Sequence, residues 1–224
     1  MLKARKRITK RQIKEDKFVT IYFKSVDFIK QNSSKFTTGL IALIVIIALV
    51  ILFVRSKRTA ELNASEELAK ANAKIAQGEL QQAIDILLNM SDNYSGTNSA
   101  SKGIYLLALT YFQKGEYENA LSNFQKYLDN NGSDPILNSA AYSGIGACLE
   151  QQGKFLEAAQ SYEKGATKFS DHFNAPQQLM DAGRCYTRTN RVVEARQCYE
   201  VILEKYPEAG FKNDAELYLA KLKG

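Results

Sequence analysis

Few residues of this chain have the type and spacing that catalysis or metal binding requires. The single histidine, His172, lies in the stretch SDHFNAP, which is typical of a loop between helices. Cys148, Cys185 and Cys198 lie in helical patterns without the spacing of zinc ligands, so we expect small, buried thiols. A Cys185–Cys198 disulfide stays possible in an oxidising compartment, although three cysteines are an odd number. With no phosphate-binding loop or nucleophile elbow, the sequence predicts no enzyme, no catalytic residue, no metal and no cofactor.

The charged residues also give no sign of acid–base chemistry. Glu157 and Glu163 fall on what helical spacing predicts to be a solvated face. The chain of 224 residues carries a net charge of +6, but this charge is unevenly distributed. Residues 1–40 carry a net +8, whereas residues 59–224 carry a net −5. Since an acidic domain repels nucleic acid, we expect no nucleic-acid partner, and no motif indicates a small-molecule substrate.

The segment LIALIVIIALVILFV, residues 40–54, has fifteen consecutive apolar residues. Residues 36–39 (FTTG) extend the uncharged stretch to nineteen residues. A helix of that length spans roughly 28 Å, which is close to the thickness of the hydrocarbon core of a bilayer. A cleaved signal peptide fits less well, because a long basic segment precedes the run and basic residues follow it directly. The sequence therefore predicts a single transmembrane helix over 36–54.

The charge beside this helix predicts its orientation. Basic segments stay on the cytoplasmic side, which favours a cytoplasmic basic segment over 1–35 and an exported C-terminal domain. Three basic residues at 55–58 weaken the signal, so the reversed topology stays open. Within the basic segment, KFVTIYFKSVDFIK (17–30) has apolar residues at helical spacing. This pattern predicts an amphipathic helix lying on the lipid bilayer, or alternatively a helix that docks on a membrane protein.

A pattern repeats four times in the rest of the chain, with copies near 64–97, 101–134, 139–172 and 176–209. Each copy has an alanine at a fixed place: Ala83, Ala120, Ala158 and Ala195. Five residues before each alanine stand Gly78, Gly115, Gly153 and Asn190. Four residues after it stand Leu87, Phe124, Tyr162 and Tyr199. A small residue recurs further upstream: Ala71, Ala108, Gly146 and Gly183.

These positions predict a helical hairpin in each copy. Small residues let two helices approach closely, and glycine or asparagine supports the positive φ that ends one helix before the next. Asp134-Pro135 and Asn174-Ala175-Pro176 are predicted helix starts, each with a side-chain cap and an early proline. We expect 55–63 to continue the transmembrane helix and 211–222 to form a capping helix. The predicted fold is all-α: one N-terminal transmembrane helix, then a solenoid over 64–224 with about four hairpins and a cap.

The repeat resembles the tetratricopeptide repeat, in which a small residue, a glycine, an alanine and an aromatic residue recur in this order. Ala108, Gly115, Ala120 and Phe124 match it, and the third and fourth copies match it largely. The period here is slightly longer than in that family, and the chain has no tryptophan for the first signature position. The resemblance implies a concave surface, lined by the first helices of the hairpins, that binds a peptide, a helix or a folded protein.

Eight residues are predicted by the repeat register to line that surface. The second copy supplies Tyr105, Leu109 and Phe112, the third supplies Glu150 and Gln151, and the fourth supplies Gln177, Arg184 and Arg188. The groove is therefore expected to have an apolar end and a basic end.

The whole architecture resembles the bacterial YfgM-like family, including the stretch ITKRQIKEDKFVTIYFKSVDFIKQN before the membrane. That resemblance implies a single-pass protein of the bacterial inner membrane with a periplasmic repeat domain. It also implies the SecYEG translocon and a periplasmic chaperone as protein partners. An envelope-assembly or cell-division scaffold is the alternative, as is a cytosol-facing receptor if the topology is reversed.

Overall fold

The computed structural model describes residues 17–130 and 134–222, and these ranges are helical almost throughout. Ten helices, and no strand, are found in the described ranges. They are α1 (Lys17–Gln31), α2 (Ser33–Ala76), α3 (Leu80–Asn93), α4 (Asn98–Gln113), α5 (Tyr117–Asp129), α6 (Pro135–Gln151), α7 (Phe155–Lys168), α8 (Ala175–Arg188), α9 (Val192–Lys205) and α10 (Lys212–Lys221). The predicted all-α fold is confirmed, while the first sixteen residues of the predicted basic segment lie outside the described residues.

The chain divides into two compact units, Met1–Ser56 and Lys57–Gly224. In the first unit, helical hydrogen bonding continues across Asn32, whose N–H donates to the carbonyl of Phe28 at 3.1 Å. The hydroxyls of Thr37 and Thr38 donate to backbone carbonyls of the preceding turn at 2.8–3.0 Å, so these polar groups need no solvent partner. In the described part of the chain, α2 is the helix long and apolar enough to cross a membrane by length and composition.

The second unit is a stack of four helical hairpins. They pair the end of α2 with α3, α4 with α5, α6 with α7, and α8 with α9, and α10 packs on α9. One apolar cluster joins the end of α2 to α3 and α4: Ala64, Ala71, Ile84, Leu87, Met90 and Leu107. The predicted four hairpins and capping helix are therefore confirmed.

The repeat signature has the structural role that its spacing predicts. The four alanines, Ala83, Ala120, Ala158 and Ala195, are all 0% exposed. The residues five positions earlier end one helix of each hairpin in the left-handed region, with φ between 58° and 82°: Gly78, Gly115, Gly153 and Asn190. Asparagine tolerates this conformation better than most residues with a side chain, which explains why it can replace glycine in the fourth copy.

The upstream small residue makes room for the large residue of the second helix. In the third copy, a Cβ added to Gly146 would lie 2.6 Å from the ring of Tyr162. In the fourth copy, a Cβ added to Gly183 would lie 2.5 Å from the ring of Tyr199. Glycine is therefore required where the large residue is tyrosine, whereas the first two copies combine alanine with Leu87 or Phe124.

The two predicted helix caps have different outcomes. Asp134 caps α6 as predicted, accepting from the N–H of Ile136 at 2.9 Å, with Pro135 in the first turn. The prediction for Asn174 is wrong, because its side chain makes no cap hydrogen bond to α8. Its Oδ1 instead accepts from the hydroxyl of Ser139 on α6 at 3.0 Å, so it links two hairpins.

Glu61 near the middle of α2 makes a contact that the repeat pattern does not indicate. Its carboxylate accepts from the N–H of Asn98 at 2.7 Å and from the N–H and hydroxyl of Ser99 at 3.0 and 2.6 Å. Burial would raise the pKa of Glu61, but these bonds and the charge of Lys102 lower it overall. A carboxylate from the first hairpin thus stabilises the N-terminus of α4 in the second.

We expect Gly183→Ala to destabilise the array by about 1–3 kcal/mol, because the new methyl group overlaps the ring of Tyr199. Urea unfolding of the full chain, followed by circular dichroism, measures this loss. Adding Tyr199→Leu restores the alanine–leucine combination of Ala71 and Leu87, so the double variant should lose less than the two single variants together. Strictly additive losses would contradict a steric origin.

Candidate functional site

The first helices of successive hairpins form one continuous face of the array. α4 contacts α6, and α6 contacts α8, in addition to the contacts within each hairpin. The eight predicted groove residues lie on or beside these three helices: Tyr105, Leu109 and Phe112 on α4, Glu150 and Gln151 on α6, and Gln177, Arg184 and Arg188 on α8. This face is the candidate groove.

The α4 side of the groove is aromatic and aliphatic. Tyr105 is half-buried, with its ring 5.7 Å from Phe124 and 5.5 Å from Tyr127, and burial raises the pKa of its hydroxyl. The half-buried Phe112 packs edge to face on Tyr117 at 5.4 Å. Leu109 is more exposed, at 39%. Tyr105 and Phe112 therefore contribute to packing as well as to the surface, and Leu109 is the apolar group most available to a partner.

The middle of the groove has small side chains, which sequence reasoning missed. The α6 positions that correspond to Tyr105 and Leu109, 38 residues later, are Ser143 and Ala147. Both are partly exposed. Small residues on α6 thus lie beside the larger side chains of α4, and the hydroxyl of Ser143 accepts from the side-chain N–H of Gln178 on α8 at 2.8 Å. The sequence could have revealed these two residues, because the repeat period gives the position in every copy that corresponds to a predicted groove residue.

A polar cluster joins α6 to α8. The guanidinium of Arg184 donates from Nη1 and Nη2 to the two carboxylate oxygens of Glu150, at 2.6 and 2.7 Å. Nη2 also donates to Asp181 at 3.1 Å, and Asp181 accepts from Gln177 at 3.1 Å. The hydroxyl of Tyr162 donates to Glu150 at 2.9 Å. The structure therefore brings Glu150 and Arg184 together directly, and Gln177 joins Arg184 through Asp181. Neither Asp181 nor Tyr162 was predicted for the groove.

Glu150 and Arg184 stay ionised at neutral pH. Burial would raise the pKa of Glu150, but the hydrogen bonds from Arg184 and Tyr162, with the charge of Arg184, lower it overall. The bond to Glu150 raises the pKa of Arg184. Since one guanidinium faces the two carboxylates of Glu150 and Asp181, the positive charge expected from Arg184 is offset within the protein.

The remaining predicted groove residues are exposed. The guanidinium carbon of Arg188 lies 4.7 Å from the centre of the Phe155 ring, a cation–π contact that leaves the side chain at the surface. Gln151 is exposed at the end of α6. Arg188 is therefore the predicted basic residue best placed to meet a partner.

The residues whose side chains could perform chemistry, the three cysteines and His172, mostly pack within the fold. Cys148, Cys185 and Cys198 are buried free thiols, as expected, and burial raises their pKa values to about 11, 12 and 12. His172 lies in the loop between α7 and α8, as predicted, and its ring packs edge to face on Phe169 at 5.9 Å. Within residues 17–130 and 134–222, no group of three His, Cys, Asp or Glu side chains could hold a metal ion.

The two glutamates expected on a solvated face differ. Glu157 is exposed, as predicted. The prediction for Glu163 is wrong, because it is partly buried and accepts from the hydroxyl of Tyr186 on α8 at 2.6 Å. This bond joins two hairpins, and it depends on a tyrosine 23 residues later that helical spacing within α7 does not reveal.

Comparison with known proteins supports the repeat architecture. The family model of the tetratricopeptide repeat-like domain matches residues 27–223, a range that includes the apolar run. No curated protein matches the chain.

Solved structures share the fold at low identity. A tetratricopeptide repeat protein from Parabacteroides merdae ATCC 43184 is similar with a TM-score of 0.60 and 16% identity, covering 72% of this chain and 60% of that chain. MamA from AMB-1 is similar with a TM-score of 0.52 and 20% identity, covering 67% of this chain and 77% of that chain. MamA (41-end) from Desulfovibrio magneticus RS-1 is similar with a TM-score of 0.53 and 14% identity, covering 71% of this chain and 90% of that chain.

Arg184→Ala should lower the free energy of unfolding by about 1–3 kcal/mol, since it leaves two partly buried carboxylates without their shared cation. Arg191→Ala is the matched control, because the ion pair of Arg191 with Glu194, at 3.3 Å, is more exposed than that of Arg184 with Glu150. Removing it should lower the free energy of unfolding by only about 0–1 kcal/mol. Urea unfolding measures both. Equal effects of the two substitutions would show that the cluster adds nothing beyond a surface ion pair.

The same cluster makes stability depend on pH. Because the pKa of Glu150 is lowered in the folded state, its contribution is present above the carboxyl pKa of the unfolded chain. That contribution is lost as pH falls through the lowered value. The stability advantage of the wild type over Glu150→Gln should therefore shrink between neutral pH and about pH 3. An advantage that is unchanged on acidification would contradict this assignment.

Proposed function

This chain belongs to the tetratricopeptide repeat-like domain family, and from that premise we propose that it is a non-enzymatic protein-interaction scaffold held at a membrane by α2. Repeat arrays of this kind present extended concave surfaces to protein partners. The candidate groove has an apolar side on α4, small residues on α6 and a polar side on α8. These features suit an amphipathic helix or an extended peptide.

One observation carries the membrane part of the proposal. α2 contains both the fifteen-residue apolar run and two alanines, Ala64 and Ala71, that are 0% exposed in the core of the first hairpin. The large residues of the apolar run are about half exposed or more in the isolated chain, as a lipid-facing surface requires. A scaffold held at a membrane meets membrane partners at a high effective concentration, so weak contacts with the groove suffice.

The proposed location is the bacterial inner membrane, with the N-terminus in the cytoplasm and the repeat array in the periplasm. The net +8 of residues 1–40 supports this orientation. The resemblance to YfgM-like proteins supports a place beside the SecYEG-type translocon and a periplasmic chaperone. An envelope-assembly or cell-division scaffold, and a cytosol-facing receptor, are the outcomes that would replace this assignment.

Labelling of introduced cysteines tests the orientation. Val193→Cys places a thiol on α9 at a position that is 66% exposed, and Ser25→Cys places one on α1. The three native thiols are at most 1% exposed and should stay unlabelled. In spheroplasts treated with a membrane-impermeant maleimide, we expect labelling of Val193→Cys before lysis and of Ser25→Cys only after lysis. The opposite order would mean that the array faces the cytosol.

Photo-crosslinking in intact cells tests the partner. A photoreactive amino acid at Leu109 or Arg188 should crosslink translocon subunits or a periplasmic chaperone, identified by mass spectrometry. The same probe at Val193, which is exposed on a second helix, should give few of these products. Crosslinks from the groove positions to cell-wall or outer-membrane assembly proteins would favour an envelope scaffold, and the proposed translocon role would then be wrong.

A further inference from the structure

A groove along α1 and the beginning of α2 combines a polar end with an apolar end. It is an open, shallow depression of about 580 Å³ on one face of this helical segment, within the first unit. Its lining residues recur at helical spacing along one face: Phe28, Asn32, Lys35, Phe36, Gly39, Leu40 and Leu43. The polar groups, Asn32 and Lys35, precede the apolar groups of the transmembrane run. From Lys35 towards Leu43 the groove therefore changes from cationic to apolar, in the same sense as a phospholipid changes from head group to chain, while Phe28 borders its polar end.

Gly39 opens the apolar part of the groove. A Cβ added there would meet no atom within 4 Å, so the space beside this glycine is open. On its N-terminal side, the rings of Phe28 and Phe36 pack edge to face, with their centres 5.9 Å apart, and border the groove. Leu40 and Leu43, which are 58% and 52% exposed, continue the apolar surface on its C-terminal side. An acyl chain fits such a surface, because it is flexible and needs only contact with apolar groups.

The polar end favours a negatively charged head group. Residues 28–60 contain no aspartate or glutamate, whereas Lys30 and Lys35 lie at this end of the run. Lys35 makes no ion pair among the residues that the structure describes. Asn32 uses one side-chain N–H on the carbonyl of Phe28 at 3.0 Å, which leaves its other N–H to donate. One cation and an amide donor on the groove face, beside a bilayer and without a carboxylate in residues 28–60, match a phosphate that carries additional negative charge.

We propose that this groove binds one acidic glycerophospholipid, with its phosphate at Asn32 and Lys35 and one acyl chain over Gly39. The proposal rests on the membrane anchor described under the proposed function, but not on the identity of the protein partner. Lys35 supplies the charge contact, and Gly39 supplies the space for the chain. The site would fix the depth of α2 in the bilayer, since the phosphate holds one point of the helix at the head-group level.

The test measures lipid retention by the full chain. The protein is placed in nanodiscs of phosphatidylcholine with a minority of phosphatidylglycerol, released in the gas phase, and its bound lipids are counted by native mass spectrometry. The wild type should retain phosphatidylglycerol in preference to phosphatidylcholine. Lys35→Gln should weaken this retention about fivefold, which corresponds to the contribution of one basic residue near a membrane surface.

Two further variants separate a site from general attraction. Gly39→Leu keeps the charge and fills open space, so it should lower retention of either lipid in the groove without unfolding the helix. Arg58→Gln removes the same charge on the other side of the run and should leave retention unchanged. If Arg58→Gln lowers retention as much as Lys35→Gln, or if Gly39→Leu has no effect, the proposed site is wrong.

Three results would overturn the inference in different ways. If Gly39→Leu abolishes a crosslink to a membrane protein while lipid retention is unchanged, the groove receives a protein helix and not a lipid. If the full chain is recovered without detergent from the soluble fraction, the membrane anchor itself is wrong. A chain that stays in the membrane but shows no lipid preference would overturn only the lipid site.

Discussion

Close approach of the two helices in each hairpin is the constraint on which the rest of the array depends. In the third and fourth hairpins, the space for a tyrosine on the second helix exists because Gly146 and Gly183 have no side chain. Phe124 extends the same principle between hairpins, since a Cβ on Gly144 of the next hairpin would lie 2.4 Å from its ring. Each hairpin can bury its apolar face only against its neighbours, so these contacts determine both the stacking and the shape of the groove.

Polar contacts fix the register of this stack. Glu61 joins the first hairpin to the start of α4, and Glu150 joins α6 to Arg184 in the next hairpin. Gln178 of α8 donates to the carbonyl of Ser139 on α6 at 2.8 Å. These partners are 34 to 39 residues apart, about one repeat, so each contact links nearest neighbours. Apolar packing is tolerant of small shifts, whereas hydrogen bonds are not, and the groove is therefore largely formed before a partner binds.

Sequence reasoning succeeded where a position depends on backbone geometry and failed where it depends on a side-chain partner. Gly115 and Ala120 could be predicted because a turn with positive φ and a close helix contact admit few residue types. Asn174 could not, because Ser139 of the preceding hairpin takes the oxygen that would have capped α8. The groove helices followed from the register, but the pairing of Arg184 with Glu150 and Asp181 did not. That pairing depends on the distance between α6 and α8, which no pattern within one repeat records.

The buried thiols connect the fold to the proposed compartment. A periplasmic domain meets an oxidising environment, in which an exposed thiolate would form disulfides with other proteins. Here Cys148, Cys185 and Cys198 are at most 1% exposed, and their raised pKa values keep them protonated at neutral pH. Cys148 and Cys185 each lie two residues after a small contact residue, where close helix packing admits only a small side chain. The packing that builds the hairpins therefore also protects these thiols, so free cysteines in the array are compatible with export.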